Sequence, residues 1–195
     1  MKKLDKESKT AENLAKGFFG EGGARNRYTY FSKAAKKEGY VQISNLFLET
    51  ADNEKEHAKR FLKYLGEDFL EIEINNAKYP VGLNNKTENN LNFAIKGEHE
   101  ENTILYPEFA KIAQDEGYNE IAENISEIIE AEKAHEARFI ALLENIKNES
   151  VFKKEKDVIW KCINCGYLNK SKEAPLICPS CHHKQEYFEV FMKNY

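Results

Sequence analysis

The stretch NEKEHAKRF at residues 53–61 recurs as AEKAHEARF at residues 131–139. Each copy contains a Glu-x-x-His motif, Glu54-x-x-His57 in the first and Glu132-x-x-His135 in the second, at an offset of 78. Because residues i and i+3 lie on one face of an α-helix, the glutamate and histidine of each motif point to the same side. A single such motif in a charge-rich chain is typical of a solvated helix face. Two motifs at matching points of a repeat indicate two helical units that share a site.

The repeat extends outward from both motifs. Glu-Gly-Tyr at residues 38–40 recurs at 116–118, again at an offset of 78. Gly-Glu at residues 20–21 recurs at 97–98, where the offset is only 77. The second copy therefore contains one additional residue in its first helix.

The added residue lies between Glu98 and Tyr106, because Tyr106 already matches Tyr28 at the longer offset. A single residue inserted into a helix is usually absorbed as a π-bulge, and such bulges are frequent at functional sites. Pro107 strengthens this expectation, since proline removes a helical N–H and crowds the preceding turn. The sequence predicts a bulge or kink between Glu101 and Pro107.

Apolar residues recur at helical spacing through most of the chain. They predict four helices, at about 10–38, 41–65, 88–115 and 118–147. The turns at Gly39 and Gly117 are short, so each pair of helices should form an antiparallel hairpin. The connection at 67–87 is long and rich in Asn, Pro and Gly, which is typical of a ferritin-like bundle. We expect an all-α four-helix bundle with a left-handed crossover connection over residues 1–150.

Two glutamates complete a possible metal site. Glu21 and Glu98 occupy matching places in the two helices that lack a Glu-x-x-His motif. One Glu from each of two helices and Glu-x-x-His from each of the others is the di-iron carboxylate arrangement of four-helix bundles. Glu101 lies on the same face as Glu98 and is either a fifth carboxylate ligand or a surface residue. Without metal, burial of this cluster would be very costly.

Two tyrosines and two glycines lie near these glutamates. Tyr28 and Tyr106 follow Glu21 and Glu98 by about two helical turns. Their hydroxyls either hydrogen-bond metal-bound carboxylates or belong to an ordinary core. The pair Gly22-Gly23 costs roughly 2 kcal/mol of helix propensity, which indicates open space, close helix approach or simple tolerance.

All four cysteines lie near the carboxyl end of the sequence, in the pattern CxxC–x12–CxxC. These cysteines are Cys162, Cys165, Cys178 and Cys181. Disulfides that stabilise a small secreted fold would be spread along the chain, whereas this spacing predicts a tetrahedral metal site with four cysteine ligands. Zinc would make a structural ribbon and iron a one-electron carrier; the adjoining di-iron pattern favours iron. Residues 151–195 are expected to form a small β domain that requires this metal.

Composition narrows the functional classes. Lys and Arg total 29 against 33 Asp and Glu, giving a net charge of −4, so a nucleic-acid-binding surface is not expected. No apolar run approaches the roughly 18 residues of a membrane span. The first residues lack the apolar segment of a signal peptide. We therefore expect a soluble, cytoplasmic protein that binds neither nucleic acid nor membranes.

The sequence resembles the rubrerythrin family over essentially its whole length. The matching segments are Gly20-Glu21 with ARNRY at 24–28, ETAD at 49–52 before Glu54-x-x-His57, Gly97-Glu98-x-x-Glu101, Glu132-x-x-His135 and the two cysteine knuckles. The resemblance implies a non-heme iron peroxidase that reduces hydrogen peroxide to water in oxidative-stress defence. It also implies a homodimer or higher homo-oligomer, in which one subunit's rubredoxin-like domain lies near the other's di-iron site.

The resemblance further implies the ligands of each metal. The di-iron ligands would be Glu21, Glu54, His57, Glu98, Glu101, Glu132 and His135, which with Tyr28 and Tyr106 form the expected catalytic set. On reduction, one iron would exchange Glu101 for His57. The four cysteines would hold one iron as Fe(SCys)4. The sequence departs from free-standing rubredoxins in its short loop between knuckles and in His182, where glycine is usual, and Gly22-Gly23 replaces more polar residues.

The predicted reaction uses two electrons from a diferrous pair to break the O–O bond of peroxide, with re-reduction through the cysteine-bound iron. The electrons would come from rubredoxin or an NAD(P)H-dependent reductase, since the chain has no G-x-G-x-x-G motif. Two alternatives remain open: a ferroxidase or iron-storage protein, and a non-enzymatic binding protein with a zinc ribbon.

Overall fold

The computed structural model describes residues 2–195 and contains, within them, five α-helices and one π-helical segment. The helices are α1 Lys9–Lys37, α2 Val41–Leu65, α3 Thr87–Glu100, α4 Tyr106–Asp115 and α5 Asn119–Lys147. The π-helical segment, Glu101–Leu105, joins α3 directly to α4. The three elements together form the third long helix of the four-helix bundle. The π-bulge expected between Glu101 and Pro107 is confirmed.

The helices form the expected ferritin-like bundle of two hairpins. α1 packs along α2, and α3 and α4 pack along α5. The crossover between α2 and α3 is irregular and is attached to both hairpins. The backbone N–H of Asn75 donates to Glu12 (3.1 Å), and the backbone N–H of Asn84 donates to the Asn90 side chain (3.0 Å).

Each half of the repeat caps the first helix of the other half. Glu116, in the turn between α4 and α5, accepts hydrogen bonds from the backbone N–H groups of Lys9 (3.1 Å) and Thr10 (2.9 Å). Glu38, at the matching position between α1 and α2, accepts from the backbone N–H of Thr87. Both carboxylates lie at helix N-termini, where unpaired N–H groups and the helix dipole favour negative charge.

The buried side chains of the bundle form two apolar clusters. One contains Leu14, Phe61, Tyr106, Phe109 and Ile121, and the other contains Tyr28, Phe31, Phe47, Leu91 and Phe139. Positions related by the repeat fall in opposite clusters, as Phe61 and Phe139 do. Along α2 and α5, each Glu-x-x-His motif separates the residues that belong to one apolar cluster from those that belong to the other.

The C-terminal domain is a three-stranded antiparallel sheet in the order β2-β1-β3. Its strands are β1 Lys153–Cys162, β2 Leu168–Glu173 and β3 Phe188–Val190, with a short 3-10 turn at Gln185–Tyr187. Trp160, in the central strand β1, is fully buried, and its indole N–H donates to the carbonyl of Ser171 (3.1 Å). Phe152 stacks on Tyr40 at the α1–α2 turn, with ring centroids 6.5 Å apart.

Within residues 2–195, no helix combines the length and the hydropathy needed to cross a lipid bilayer.

Replacement of Glu116 by Ala is expected to destabilise the bundle by about 1–2 kcal/mol, because several donors at the start of α1 lose their acceptor. The measurement is urea unfolding of the metal-loaded protein, compared with Glu127→Ala on the exposed face of α5. Equal unfolding midpoints for the two variants would contradict the capping role of Glu116.

Candidate metal centres

The bundle brings the predicted carboxylates and histidines together in two groups of four. The first group is Glu21, Glu54, His57 and Glu132, and the second is Glu54, Glu98, Glu132 and His135. Within each group one ligand atom per residue lies within 4.8 Å of all the others. Glu54 and Glu132 belong to both groups, so the two sites share an edge.

The ring nitrogen of His57 lies among three carboxylates. Its Nδ1 is 2.8 Å from Glu132 Oε1, 3.1 Å from Glu54 Oε2 and 4.0 Å from Glu21 Oε1. A single ring nitrogen has at most one proton to donate, so it cannot satisfy three acceptors. This convergence is the arrangement of ligands around a common cation.

His135 repeats the arrangement in the second group. Its Nδ1 is 2.8 Å from Glu132 Oε2, 3.2 Å from Glu54 Oε1 and 3.6 Å from Glu98 Oε2. The two imidazole rings are 6.0 Å apart between centroids. Each histidine therefore belongs to one group, while the glutamates of the two Glu-x-x-His motifs belong to both.

The carboxylates are buried without the partners that a buried charge requires. Glu21, Glu98 and Glu132 are fully buried, and the Oε2 atoms of Glu21 and Glu98 have no hydrogen-bond partner. Among the described residues, no Lys or Arg forms a salt bridge with any carboxylate of the two groups. Since isolated buried carboxylates are strongly unfavourable, this donor set fits two divalent cations.

Two buried tyrosines hold carboxylates of the opposite half. The hydroxyl of Tyr28 donates to Glu98, and the hydroxyl of Tyr106 donates to Glu21. Burial, followed by the nearby carboxylate charges, raises the pKa of both hydroxyls. Both tyrosines therefore keep their protons and remain donors.

Glu101 lies beside the two groups but belongs to neither. It begins the π-helical segment and is half-buried. Burial and repulsion from Glu98 and Glu132 raise the pKa of its carboxyl well above the usual range. The structure thus groups His57, rather than Glu101, with the first set of carboxylates.

The glycines after Glu21 border open space. A Cβ atom added at Gly22 or Gly23 would meet no atom within 4 Å. Of the interpretations open for this pair, close helix approach is therefore wrong.

One residue that sequence reasoning missed stabilises the π-helical segment. Asn102 is buried, and its amide donates to the backbone carbonyl of Glu98 (2.7 Å) and to the side chain of Glu136 (2.7 Å). A π-bulge disturbs the regular i→i−4 ladder, and this side chain supplies a replacement donor. No periodicity marks Asn102, and its place in the inserted region is the one signal in the sequence that could have identified it.

The four cysteines converge in the C-terminal domain. Their sulfurs lie within 4.8 Å of one another, and the Cys162–Cys181 and Cys165–Cys178 pairs are each 3.7 Å apart. A disulfide would require about 2.05 Å. A tetrahedron with metal–sulfur bonds of about 2.3 Å places its sulfurs about 3.8 Å apart, so the arrangement fits one metal ion.

The two cysteine knuckles have the same backbone geometry. The N–H of Gly166 donates to the Cys162 carbonyl (2.8 Å), and the N–H of His182 donates to the Cys178 carbonyl (2.9 Å). Both donors have left-handed backbones, with φ of +78° at Gly166 and +59° at His182. His182 thus adopts the conformation that glycine usually supplies in this position.

The protonation states of the metal-free bundle depend on its burial. Burial and the neighbouring Glu54 raise the pKa of Glu98 to about 8. Burial opposes the charged form of His57, but hydrogen bonds with Glu132 and Glu54 raise its pKa to about 9. Burial likewise opposes ionisation of Glu132, and both histidines lower its pKa to about 2.

These shifts predict that the metal-free bundle loses stability as pH rises from 5 to 9. Glu98 and His57 bind protons more tightly when folded than when unfolded, so their contribution is full at low pH and is lost toward pH 8 and 9. We expect the free energy of unfolding, from urea titrations of chelator-treated protein, to fall by at least about 1.4 kcal/mol. Glu98→Gln should reduce the slope and Glu127→Gln should not; stability that is constant or rises over this range would contradict the assignment.

Comparison with known proteins agrees with both centres. The family model "Rubrerythrin" matches residues 12–143, and the model "Rubrerythrin, rubredoxin-like domain" matches residues 160–189. A rubrerythrin of Clostridium perfringens is 57% identical and one of Porphyromonas gingivalis is 48% identical; the alignments cover this chain completely and 100% and 96% of those proteins.

Solved structures give the same result. Nigerythrin in a mixed-valence state is 30% identical, with a TM-score of 0.63 over 96% of this chain and 92% of that one. A Desulfovibrio desulfuricans bacterioferritin, 22% identical, has a TM-score of 0.64 over 73% of this chain and 82% of that one, and shows the fold alone. The chain belongs to the rubrerythrin family, with a ferritin-like di-iron domain joined to a rubredoxin-like domain whose four cysteines form a metal site.

Proposed function

We propose that this protein is a peroxidase that reduces hydrogen peroxide to water with electrons relayed through an iron bound by its four cysteines. One observation carries the proposal. The same chain contains two adjoining groups of carboxylate and histidine ligands inside the bundle and one group of four cysteine ligands. Zinc has no redox chemistry in proteins, so electron transfer through this domain requires iron at the cysteines. The domain boundary near residue 150 and a cytoplasmic location remain predictions.

The ligand assignment follows from the two groups of the bundle. Glu54 and Glu132 belong to both groups and would bridge the irons, while His57 and His135 would each bind one. Glu21 and Glu98 would be terminal ligands. The family-implied exchange concerns Glu101 and His57: either side chain would hold the same iron, and Glu101 belongs to neither group of the metal-free bundle.

When bound and reduced, the two irons supply the two electrons that break the O–O bond of peroxide. The protein orients the ligand side chains, excludes water from the site and supplies protons. Tyr28 and Tyr106 fix the carboxylates of the opposite half through their hydroxyl groups. Glu101, whose pKa is raised by burial and by nearby carboxylates, holds a proton in the metal-free protein and is placed to donate one beside the site.

The relay would act between subunits of a homodimer. Within one chain, Phe152 of the C-terminal domain stacks on Tyr40, which immediately precedes α2, and the 3-10 turn and β3 also contact α2; His57 lies well along that helix from Tyr40. At a rise of about 1.5 Å per residue, Tyr40 and His57 are separated by about 25 Å along α2. A second subunit can place its cysteine-bound iron closer to the metal pair, and the first donor would be rubredoxin or an NAD(P)H-dependent reductase.

Stopped-flow mixing of the fully reduced protein with peroxide or with oxygen tests the substrate. We expect oxidation by hydrogen peroxide to be at least about tenfold faster than oxidation by oxygen at equal concentrations. The reason is that peroxide takes up both electrons of the reduced metal pair when its O–O bond breaks. Faster oxidation by oxygen, with uptake of added ferrous ion, would instead support a ferroxidase.

Mixed dimers test the relay. Cys162→Ser should permit one rapid turnover and then stop, and Glu132→Ala should remove turnover at its own metal pair. Heterodimers of the two variants should regain about half of the wild-type cycling rate if the relay acts between subunits of a two-fold dimer. Unchanged cycling in Cys162→Ser alone, or no recovery in heterodimers, would contradict this relay.

A further inference from the structure

A cleft of about 420 Å³ opens between α1, the crossover and the start of α4. Its walls include Asn13, Gly20, Tyr79, Glu101, Tyr106 and Phe109. Two of these residues connect the cleft to the candidate di-iron site. Tyr106 donates its hydroxyl hydrogen bond to Glu21, and Glu101 follows Glu98 by three residues, where α3 continues into the π-helical segment.

The position of this cleft is specific to one side of the bundle. A groove between α4 and α5 has a larger volume, about 620 Å³, but none of the candidate metal ligands lines it. The cleft beside α1 instead has Glu101 as part of its wall, the carboxylate that belongs to neither metal group. A molecule in this cleft is therefore separated from the metal pair by Glu101 and Tyr106.

A buried polar group without a partner also lines the cleft. Asn13 is 7% exposed, and its side-chain N–H2 group has no hydrogen-bond partner. At the matching position of the repeat, the Asn90 amide donates to the backbone carbonyl of Asn84 (2.9 Å). Since buried donors are normally paired, the Asn13 amide can donate to an acceptor inside the cleft, either a water or the oxygen of a bound molecule.

The cleft is much larger than hydrogen peroxide requires. A water molecule occupies about 30 Å³ of liquid volume, whereas pockets for small organic ligands span about 300–1,000 Å³. Rings of Tyr79, Tyr106 and Phe109 give the walls an apolar component. Its volume is within the range of sites for small organic molecules, and its lining combines these rings with the Asn13 amide and with charged side chains such as Lys16 and Lys78.

We propose that this cleft is the route to the metal pair and that it admits hydroperoxides bearing a small organic group, in addition to hydrogen peroxide. The inference rests on the peroxidase function proposed above. The hydroperoxide takes up two electrons from the reduced metal pair and two protons; its O–O bond breaks, and the products are the alcohol and water.

Gly20 and Gly23 provide matched variants. A Cβ atom added at Gly20 would lie 3.8 Å from Tyr79 Cε1, so the larger side chain of Gly20→Leu would extend into the cleft without a backbone clash. Gly23 lies on the same helix, and a Cβ there meets nothing within 4 Å. Both substitutions gain similar helix propensity, so they differ mainly in whether they fill the cleft.

Azide binding to the oxidised, iron-loaded protein tests the route independently of turnover. In stopped-flow absorbance measurements, Gly20→Leu should slow azide association and dissociation by the same factor, about tenfold or more, and leave the dissociation constant unchanged. Gly23→Leu should leave both rates unchanged. Unaltered azide rates in correctly loaded Gly20→Leu would overturn the route.

Oxidation of the reduced protein by tert-butyl hydroperoxide tests the substrate class. Gly20→Leu should slow this reaction more than it slows the reaction with hydrogen peroxide. Tyr79→Ala, which removes part of the wall opposite Gly20, should raise the rate ratio of the bulky to the small peroxide at least about threefold. The Tyr79→Ala variant also tests the substrate class if Gly20→Leu does not fold.

The outcomes separate the two proposals. Hydrogen peroxide reduction without any reaction of tert-butyl hydroperoxide, or an unchanged ratio in Tyr79→Ala, would overturn the organic substrate class. No reduction of either peroxide, with the expected azide kinetics, would overturn the peroxidase function and leave the route supported.

Discussion

The central constraint of this structure is a layer of buried carboxylates in the core of the bundle. Glu21, Glu54, Glu98 and Glu132 are almost completely shielded from water, and the two histidines of the metal groups can offset at most two of their four charges. Such a layer is strongly unfavourable unless cations neutralise it. The bundle is therefore organised around metal, and the two apolar clusters provide the packing that holds the layer together.

The internal repeat explains how one chain builds such a layer. Each half supplies one glutamate from its first helix and one Glu-x-x-His motif from its second. Each half also supports the other, since Tyr28 and Tyr106 bond carboxylates across the halves and Glu38 and Glu116 cap helices across them. The symmetry is broken by the additional residue near Glu101. The π-helical segment that absorbs it carries Glu101, which lines the cleft beside the metal pair.

The elements that depend on periodicity and spacing can be predicted from the sequence. The four long helices, the crossover, the bulge and the convergence of Glu-x-x-His pairs all follow from helical geometry and from the offsets of 77 and 78. Features that depend on tertiary approach were not predictable. The bonds of Asn102, the cross-half caps and the unpaired amide of Asn13 require knowing which helices lie side by side. The cysteine site was predictable because its four ligands are close in sequence and the spacing itself specifies the knuckles.

The proposed redox role requires iron in all three ligand groups of the chain, and anomalous diffraction tests this requirement most directly. Data collected on either side of the iron and zinc absorption edges, from crystals of protein made in iron-replete cells, identify each metal. We expect three iron peaks per chain: one in each of the two carboxylate groups that share Glu54 and Glu132, and one among the cysteines. Zinc at the cysteines, or a bundle that contains no metal, would contradict the proposed redox role.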